Sequence, residues 1–168
     1  MNQFDFEDLF VLDLANNHQG SVEHALKIIK ECAKVVHKHN IRAAIKFQFR
    51  QYATFIHPDH FEGSDNKHIP RFLSTELSKS DWQILFDAVK KEGMLTMCTP
   101  FDNESVPVIS EMDFDIIKVA SCSAKDWPLL EEIARASKPV IASTGGLELN
   151  DIDTVSYTHL TLPTIYSV

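Results

Sequence analysis

Two lysines sit where lysines are costly. Lys46 lies in IKFQ and Lys118 in IIKVAS, apolar strand-like runs in which an unpaired ammonium is disfavoured by several kcal/mol. Period-two alternation sets Ile45 and Phe47 on one face of the first run and Lys46 with Gln48 on the other. Lys118 opposes Ile117 and Val119 in the same way. Lysines near the C-terminal ends of neighbouring parallel strands converge on one pocket, where a phosphate or carboxylate would neutralise both. A second reading stays open at this point: both are structural lysines bridged to buried acids such as Asp13. Asp13 falls mid-strand between Leu12 and Leu14, so its carboxylate needs either a partner or a proton-transfer role.

Further polar groups follow the strands. In VLDLANNHQG, Asn17 and His18 come just after the strand and Gly20 and Ser21 open a helix. Such a loop can bind an anion through backbone N–H groups, although Asn and Gly are also ordinary turn residues. Thr99, Ser121, Ser143 and Thr144 lie at strand ends with Gly145 and Gly146. Their hydroxyls suit a phosphate or carboxylate, and each singly also suits a helix cap. HPDH at His57 to His60, with His68 beyond, hints at metal, but Pro58 forbids a regular helical ligand pair. No metal ligand is assigned. GxGxxG, Walker and GxSxG motifs are missing, which removes the common dinucleotide, nucleotide and hydrolase readings. Cys32, Cys98 and Cys122 are widely spaced and read as reduced thiols in or near the core.

The elements that must hold these groups alternate. A first strand leads through the N-cap Ser21 into an amphipathic helix carrying Val22, Ala25, Leu26, Ile29, Ala33 and Val36. Arg42 to Gln48 is a second strand, followed by a polar connection from Tyr52 to about Leu77. A helix with Ser80 and Gln83 as its capping box and Gly93 as its stop leads into MLTMCTP. A short helix near Glu104 to Met112, the strand DIIKVAS, a helix from about Pro128 to Ala136 and the strand PVIASTGG complete five βα units. Strands this continuously apolar are parallel and covered on both faces. An open doubly wound sheet and a (β/α)8 TIM-type barrel both fit, and a full barrel needs about 250 residues against the 168 here. The segment 1–154 reads as one partial barrel domain. The uncharged tail VSYTHLTLPTIYSV, with Pro163 where helix should continue, breaks the rhythm. Residues 155–168 read as a non-native tail resembling sequencing-adaptor read-through, with an edge strand as the alternative.

Composition bounds the partners. Sixteen Lys plus Arg against 24 Asp plus Glu give a net charge of -8, and no basic stripe interleaves with aromatics. This argues against nucleic acid and anionic membranes, yet not against a small anion held by one or two lysines in a cleft. The start MNQFDFEDLF has neither a basic n-region nor an apolar h-region, and no run approaches the ~18 apolar residues of a membrane span, so the expected location is cytoplasmic.

Taken in order, DLANNHQG, IKFQ, CTPFD, IKVAS and KPVIASTGG resemble the sialic acid synthase family, the N-acetylneuraminate synthases with their legionaminate and pseudaminate relatives. The resemblance runs from about Phe10 to Asp153. It implies a (β/α)8 barrel, truncated here to about five βα units. It also implies condensation of phosphoenolpyruvate with an N-acetylated hexose, N-acetylmannosamine-like and in its open aldehyde form, to a nine-carbon sugar acid with release of phosphate. Family members are homodimers and use a divalent metal, Mn or Mg, whose histidine ligands have no counterpart in this chain. By position, the resemblance places Asp13 where the family has a proton-handling glutamate, and Lys46, Thr99, Lys118 and Ser121 where it holds phosphoenolpyruvate. Gln48 matches a position near the acceptor sugar. Asp13 is one methylene shorter than the family glutamate, and Cys122 and Ser123 replace a Gly-Asp pair.

Two other readings compete. One is an aldolase-type barrel with Lys118 or Lys46 as Schiff-base nucleophile; the other is a non-catalytic binding module. On the synthase reading the chain as written is expected to be inactive alone and poorly soluble, because two long parallel edges stand unpaired.

Overall fold

The computed structural model describes residues 4–61, 65–155 and 165–167. Its strands are β1 (Leu9–Asp13), β2 (Arg42–Phe49), β3 (Leu95–Pro100), β4 (Ile116–Val119), β5 (Val140–Ala142) and β6 (Ile165–Ser167). They form one sheet in the order β1-β2-β3-β4-β5-β6, each pair parallel. Sequence alternation left two architectures open; this order decides between them. A doubly wound sheet reverses direction at a switch point, whereas a barrel wall adds each strand beside the last. The chain is therefore α/β of the TIM-barrel type, a half-barrel.

The helices are α1 (Val22–His39), α2 (Tyr52–Phe55), α3 (His68–Leu73), α4 (Lys79–Lys91), α5 (Ser105–Glu111), α6 (Trp127–Arg135) and α7 (Leu149–Thr154). The main core lies between the long helices and one face of the sheet. It takes Ala43, Ile45, Phe47 and Phe49 from β2, Cys98 from β3, Ile117 and Val119 from β4, and Val140 and Ala142 from β5. Phe114 is fully buried among Phe47, Phe49 and Phe86, with ring centroids 5.0 to 5.5 Å away. The opposite, concave face is apolar only at its N-terminal end. There Ala44, Met97 and Ile116 are closed over by Phe4, Phe6, Leu9, Leu95 and Ile141.

Helix starts follow side-chain caps. Ser21 accepts from the His24 N–H and begins α1 as expected. For α4 the structure corrects the expected capping box: Ser78 accepts from Asp81 N–H and the Asp81 carboxylate accepts from Ser78 N–H. The helix starts one residue after Ser78, so Ser80 and Gln83 are inside it, and Gln83 instead donates to Asp87 one turn on. The connection after β2 is not plain loop either. It folds into α2, a 3-10 turn at Pro58–His60, and α3.

The sheet is open at both ends among the described residues, at β1 and, one strand further than expected, at β6. β1 has no neighbour on its outer side among the described residues and exposes Phe10 and Val11. β5 pairs with β6, Val140 beside Ile165 through Ala142 beside Ser167. Most of the expected non-native tail, residues 156–164 and 168, lies outside the described residues.

Candidate active site

Alternation on the concave face builds the site from the sequence directly. Above the apolar layer, β1 contributes Asp13, β2 contributes Lys46 and Gln48, β3 contributes Thr99 and β4 contributes Lys118. The register sets Asp13 beside Lys46 and Gln48 beside Thr99. One step beyond the Cys98 and Ile117 pair brings Thr99 beside Lys118. All five sit at the C-terminal ends of their strands, where barrel folds carry their chemistry.

The two lysines differ in their partners. Lys46 Nζ meets the Asp13 carboxylate at 3.0 Å, with the Lys46 side chain 14% exposed and Asp13 54% exposed. Asp13 is thus not buried mid-strand as expected. It is the last residue of β1, at an open rim where water reaches one side of the carboxylate. Lys118 donates to the Val119 carbonyl at 3.0 Å and has no carboxylate in ion-pair range among the described residues. Burial first, and the charge of Lys46 second, hold its pKa below the ordinary lysine value. Thr99 stands between them, 2% exposed, its Oγ1 without a hydrogen-bond partner among the described residues. A buried orphan hydroxyl between two cations is satisfied when an oxyanion enters.

Ser121 opens a 3-10 turn at Ser121–Ser123, directly after β4, and is exposed. It faces the β5 loop: a Cβ on Gly145 would lie 3.5 Å from Ser121 Cβ and 3.9 Å from Ser143 Oγ. The ladder continues through Ser143, whose N–H donates to the Val119 carbonyl at 3.0 Å. Alternation then turns Ser143, not Thr144, to the concave side. Thr144 sits in the following turn, its carbonyl accepting from Leu147 N–H. Cys122, expected in or near the core, is exposed in the same 3-10 turn; all three cysteines are free.

The β1–α1 loop is built by backbone ties. Leu14 and Ala15 N–H both donate to the Lys46 carbonyl, at 3.1 and 3.0 Å. Ala15 and Gln19 hold positive φ, as does Gly20. At Gly20 an added Cβ would meet the Ser74 carbonyl oxygen at 2.5 Å, so only glycine fits. Asn17 is exposed and its side-chain amide caps the Asp13 carbonyl at 3.2 Å, at the rim of the site. His18 is not brought to the lysines. It is fully buried, its Nδ1 accepts from Gly20 N–H, and its ring packs edge-on to Trp82 of α4 at 5.2 Å. Burial, then His24, lowers its pKa.

Two residues of this region carry weak sequence signals. Ser143 reads as one strand end among several, and sequence reasoning misses Arg50 altogether. Arg50 continues the even-numbered row of IKFQFR, a signal present in the sequence. Asp102 of CTPFD is structural. Its carboxylate accepts from Gln51 N–H at 2.7 Å and Ser105 N–H at 2.8 Å, tying the ends of β2 and β3 together. Among the described residues no group of three His, Cys, Asp or Glu is placed to hold a metal ion, and no helix is long and apolar enough to cross a membrane.

Comparison with known proteins bears on the fold and the family. The chain is 29% identical over 136 residues to an uncharacterized protein of Methanocaldococcus jannaschii, covering 81% of this chain and 37% of that protein. It is 29% identical over 143 residues to the pseudaminic acid synthase of Campylobacter jejuni, covering 80% and 40%. The chain thus spans about two fifths of the length of these curated relatives. Among solved structures, a putative spore coat polysaccharide biosynthesis protein E of Chromobacterium violaceum superposes with a TM-score of 0.84 at 44% identity, over 89% of this chain and 44% of that one. The N-acetylneuraminic acid synthetase of Leptospira borgpetersenii, in complex with citrate, gives 0.77 at 25% identity over 92% and 50%. Residues 18–161 match the NeuB family, and the chain belongs to it.

Proposed function

We propose that this chain supplies one half of the barrel of a synthase that condenses phosphoenolpyruvate with an N-acetylated hexose, N-acetylmannosamine-like, to a nine-carbon sugar acid. The observation that carries the reading is the arrangement of Lys46, Thr99 and Lys118. Among the described residues, a cation lacking a carboxylate partner, a buried hydroxyl lacking any partner and a second cation line one concave face. A small ligand with two anionic groups neutralises what the protein leaves open. Ser121 and Ser143 extend the set of donors across β4 and β5.

Carbon 3 of phosphoenolpyruvate forms a bond to the aldehyde carbon of the open-chain sugar, and the aldehyde oxygen takes up a proton. Water adds to the cation left at carbon 2, phosphate departs with C–O cleavage, and the 2-keto acid remains. Lys46 and Lys118 stabilise the anionic substrate and departing phosphate from fixed positions. Asp13, half in solvent and paired with Lys46, orients the water or accepts its proton. The described residues offer no ligand set for Mn or Mg, so no step is assigned to a metal. Cytoplasmic location and a homodimeric full-length enzyme belong to the same proposal.

One observation favours a second reading. A lysine whose pKa is lowered by burial and a neighbouring cation is a better amine nucleophile, and Lys118 fits that description. Borohydride reduction in the presence of the keto acid product separates the two. The synthase reading expects phosphate release and no trapped adduct; a stable adduct on Lys118 supports the aldolase. Binding of the sugar without phosphate release by the full-length enzyme supports the non-catalytic module.

A further inference from the structure

Arg50 is a half-buried cation held in an unusual way. Its guanidinium lies 3.8 Å from the Phe101 ring centroid and 4.6 Å from that of Phe72, with Phe55 at 5.9 Å. Nε and Nη1 are buried and lack a hydrogen-bond acceptor among the described residues. Burial pushes its pKa down, while Tyr52 and Asp102 nearby favour the charge; a guanidinium in this situation stays protonated. No carboxylate stands within ion-pair distance among the described residues; Asp102, whose two carboxylate oxygens accept from backbone N–H groups, acts on it at longer range. Rings from the β3–α5 loop, α2 and α3 therefore fix the plane of the guanidinium, a role for which a lysine is unsuited.

Besides its hydrogen-bonding interaction with the Tyr52 side chain, Arg50 makes a directed bond into the site. Arg50 Nη2 donates to Gln48 Oε1 at 3.3 Å. A guanidinium only donates, so the amide oxygen must be the end that faces it, and the Gln48 NH2 group is left to the cleft. Beside this pair a cavity of about 140 Å³ is lined in part by Gln48, Arg50, Tyr52 and Trp82.

We propose that Arg50 is a positioning residue, which locks Gln48 so that its amide presents hydrogen-bond donors to an oxygen of the acceptor sugar. The inference rests on the synthase reading for the identity of the ligand, and on this geometry alone for the Arg50–Gln48 link. Without Arg50 the amide swings away from the orientation that faces the ligand, and its preorganised hydrogen bond to the acceptor oxygen is lost.

Two measurements test it. In 15N-labelled protein, Arg50→Met, which keeps an unbranched side chain among the rings, is expected to shift the Gln48 side-chain NH2 pair and lower its order, while Arg50→Lys restores part of both. An unchanged Gln48 signal in Arg50→Met overturns the proposal whatever the enzyme does. In steady-state assays on the full-length enzyme, Arg50→Met is expected to raise the KM for N-acetylmannosamine roughly tenfold, the scale of one hydrogen bond. The KM for phosphoenolpyruvate and kcat stay within about twofold. Added to Gln48→Ala, the same change raises the KM no further. An equal rise in both KM values, or a full further loss on Gln48→Ala, overturns the proposal. Absence of phosphate release from the unmodified enzyme counts against the synthase reading instead, and the labelled-protein measurement still decides the Arg50–Gln48 link.

Discussion

Replacing Lys118 with methionine is expected to make the protein more stable and unable to hold its anion. Lys118 donates to one backbone carbonyl, and its charge is disfavoured by burial and by Lys46. The two lysines lie on strands two apart, and at about 4.8 Å per strand the charges are on the order of 10 Å from each other. Two unit charges at that distance repel by about 0.4 kcal/mol in water and about 1.7 kcal/mol at an effective dielectric of 20. Lys118→Met removes this repulsion and the desolvation of an ammonium, for a gain on the order of 1 kcal/mol. In a domain of this length that raises Tm by about 2–4 °C. The pH dependence carries the same signature. Because the folded pKa of Lys118 is lowered, the unfolded chain binds more protons between the folded and the ordinary lysine values, so unmodified protein gains stability as pH rises through that window. Lys118→Met lacks this gain. Thermal unfolding followed by circular dichroism from neutral to alkaline pH, with and without phosphoenolpyruvate, checks both parts. A lower Tm for Lys118→Met at neutral pH, or undiminished stabilisation by phosphoenolpyruvate, refutes the reasoning and makes Lys118 a structural residue.

Three further outcomes are expected. Thr99→Val removes a buried hydroxyl without a partner, so unfolding is expected to change by less than about 1 kcal/mol while phosphoenolpyruvate affinity falls several-fold by calorimetry. Gly20→Ala forces a Cβ against the Ser74 carbonyl at positive φ and is expected to lower stability in chemical denaturation by about 2 kcal/mol or more. Phe10→Lys on the exposed β1 edge is expected to reduce self-association in sedimentation experiments without moving Tm by more than about a degree or two, since Phe10 is 52% exposed.

Much of this was legible in the sequence because two signals are strong there. Apolar runs marked five strands, and alternation within them assigned Lys46, Gln48 and Lys118 to the side opposite Ile45, Phe47 and Ile117, as found. Alternation could not say how open that side is, which is why Asp13 turned out half-exposed. It also could not choose between barrel and doubly wound sheet, since strand order is a property of long-range pairing. His18 shows the limit for loops. Its neighbours in sequence are polar, but backbone ties to Lys46 and the turn at Gly20 swing its ring under α4 against Trp82. Capping pairs misled by two residues because Ser78, Ser80, Asp81 and Gln83 offer overlapping cap patterns, and only the position of α4 on the core selects one. Arg50 was hidden because its cage comes from Phe55, Phe72 and Phe101, rings that belong to three separate segments of the chain.

The most direct test of the central claim is the fate of the bridging oxygen of phosphoenolpyruvate. The enzyme containing this chain would be supplied with substrate carrying 18O between carbon 2 and phosphorus, together with N-acetylmannosamine. The account predicts that the label leaves with inorganic phosphate, because C–O cleavage follows addition of water at carbon 2. Label retained in the keto group of the sugar acid, or absence of phosphate release, would contradict it.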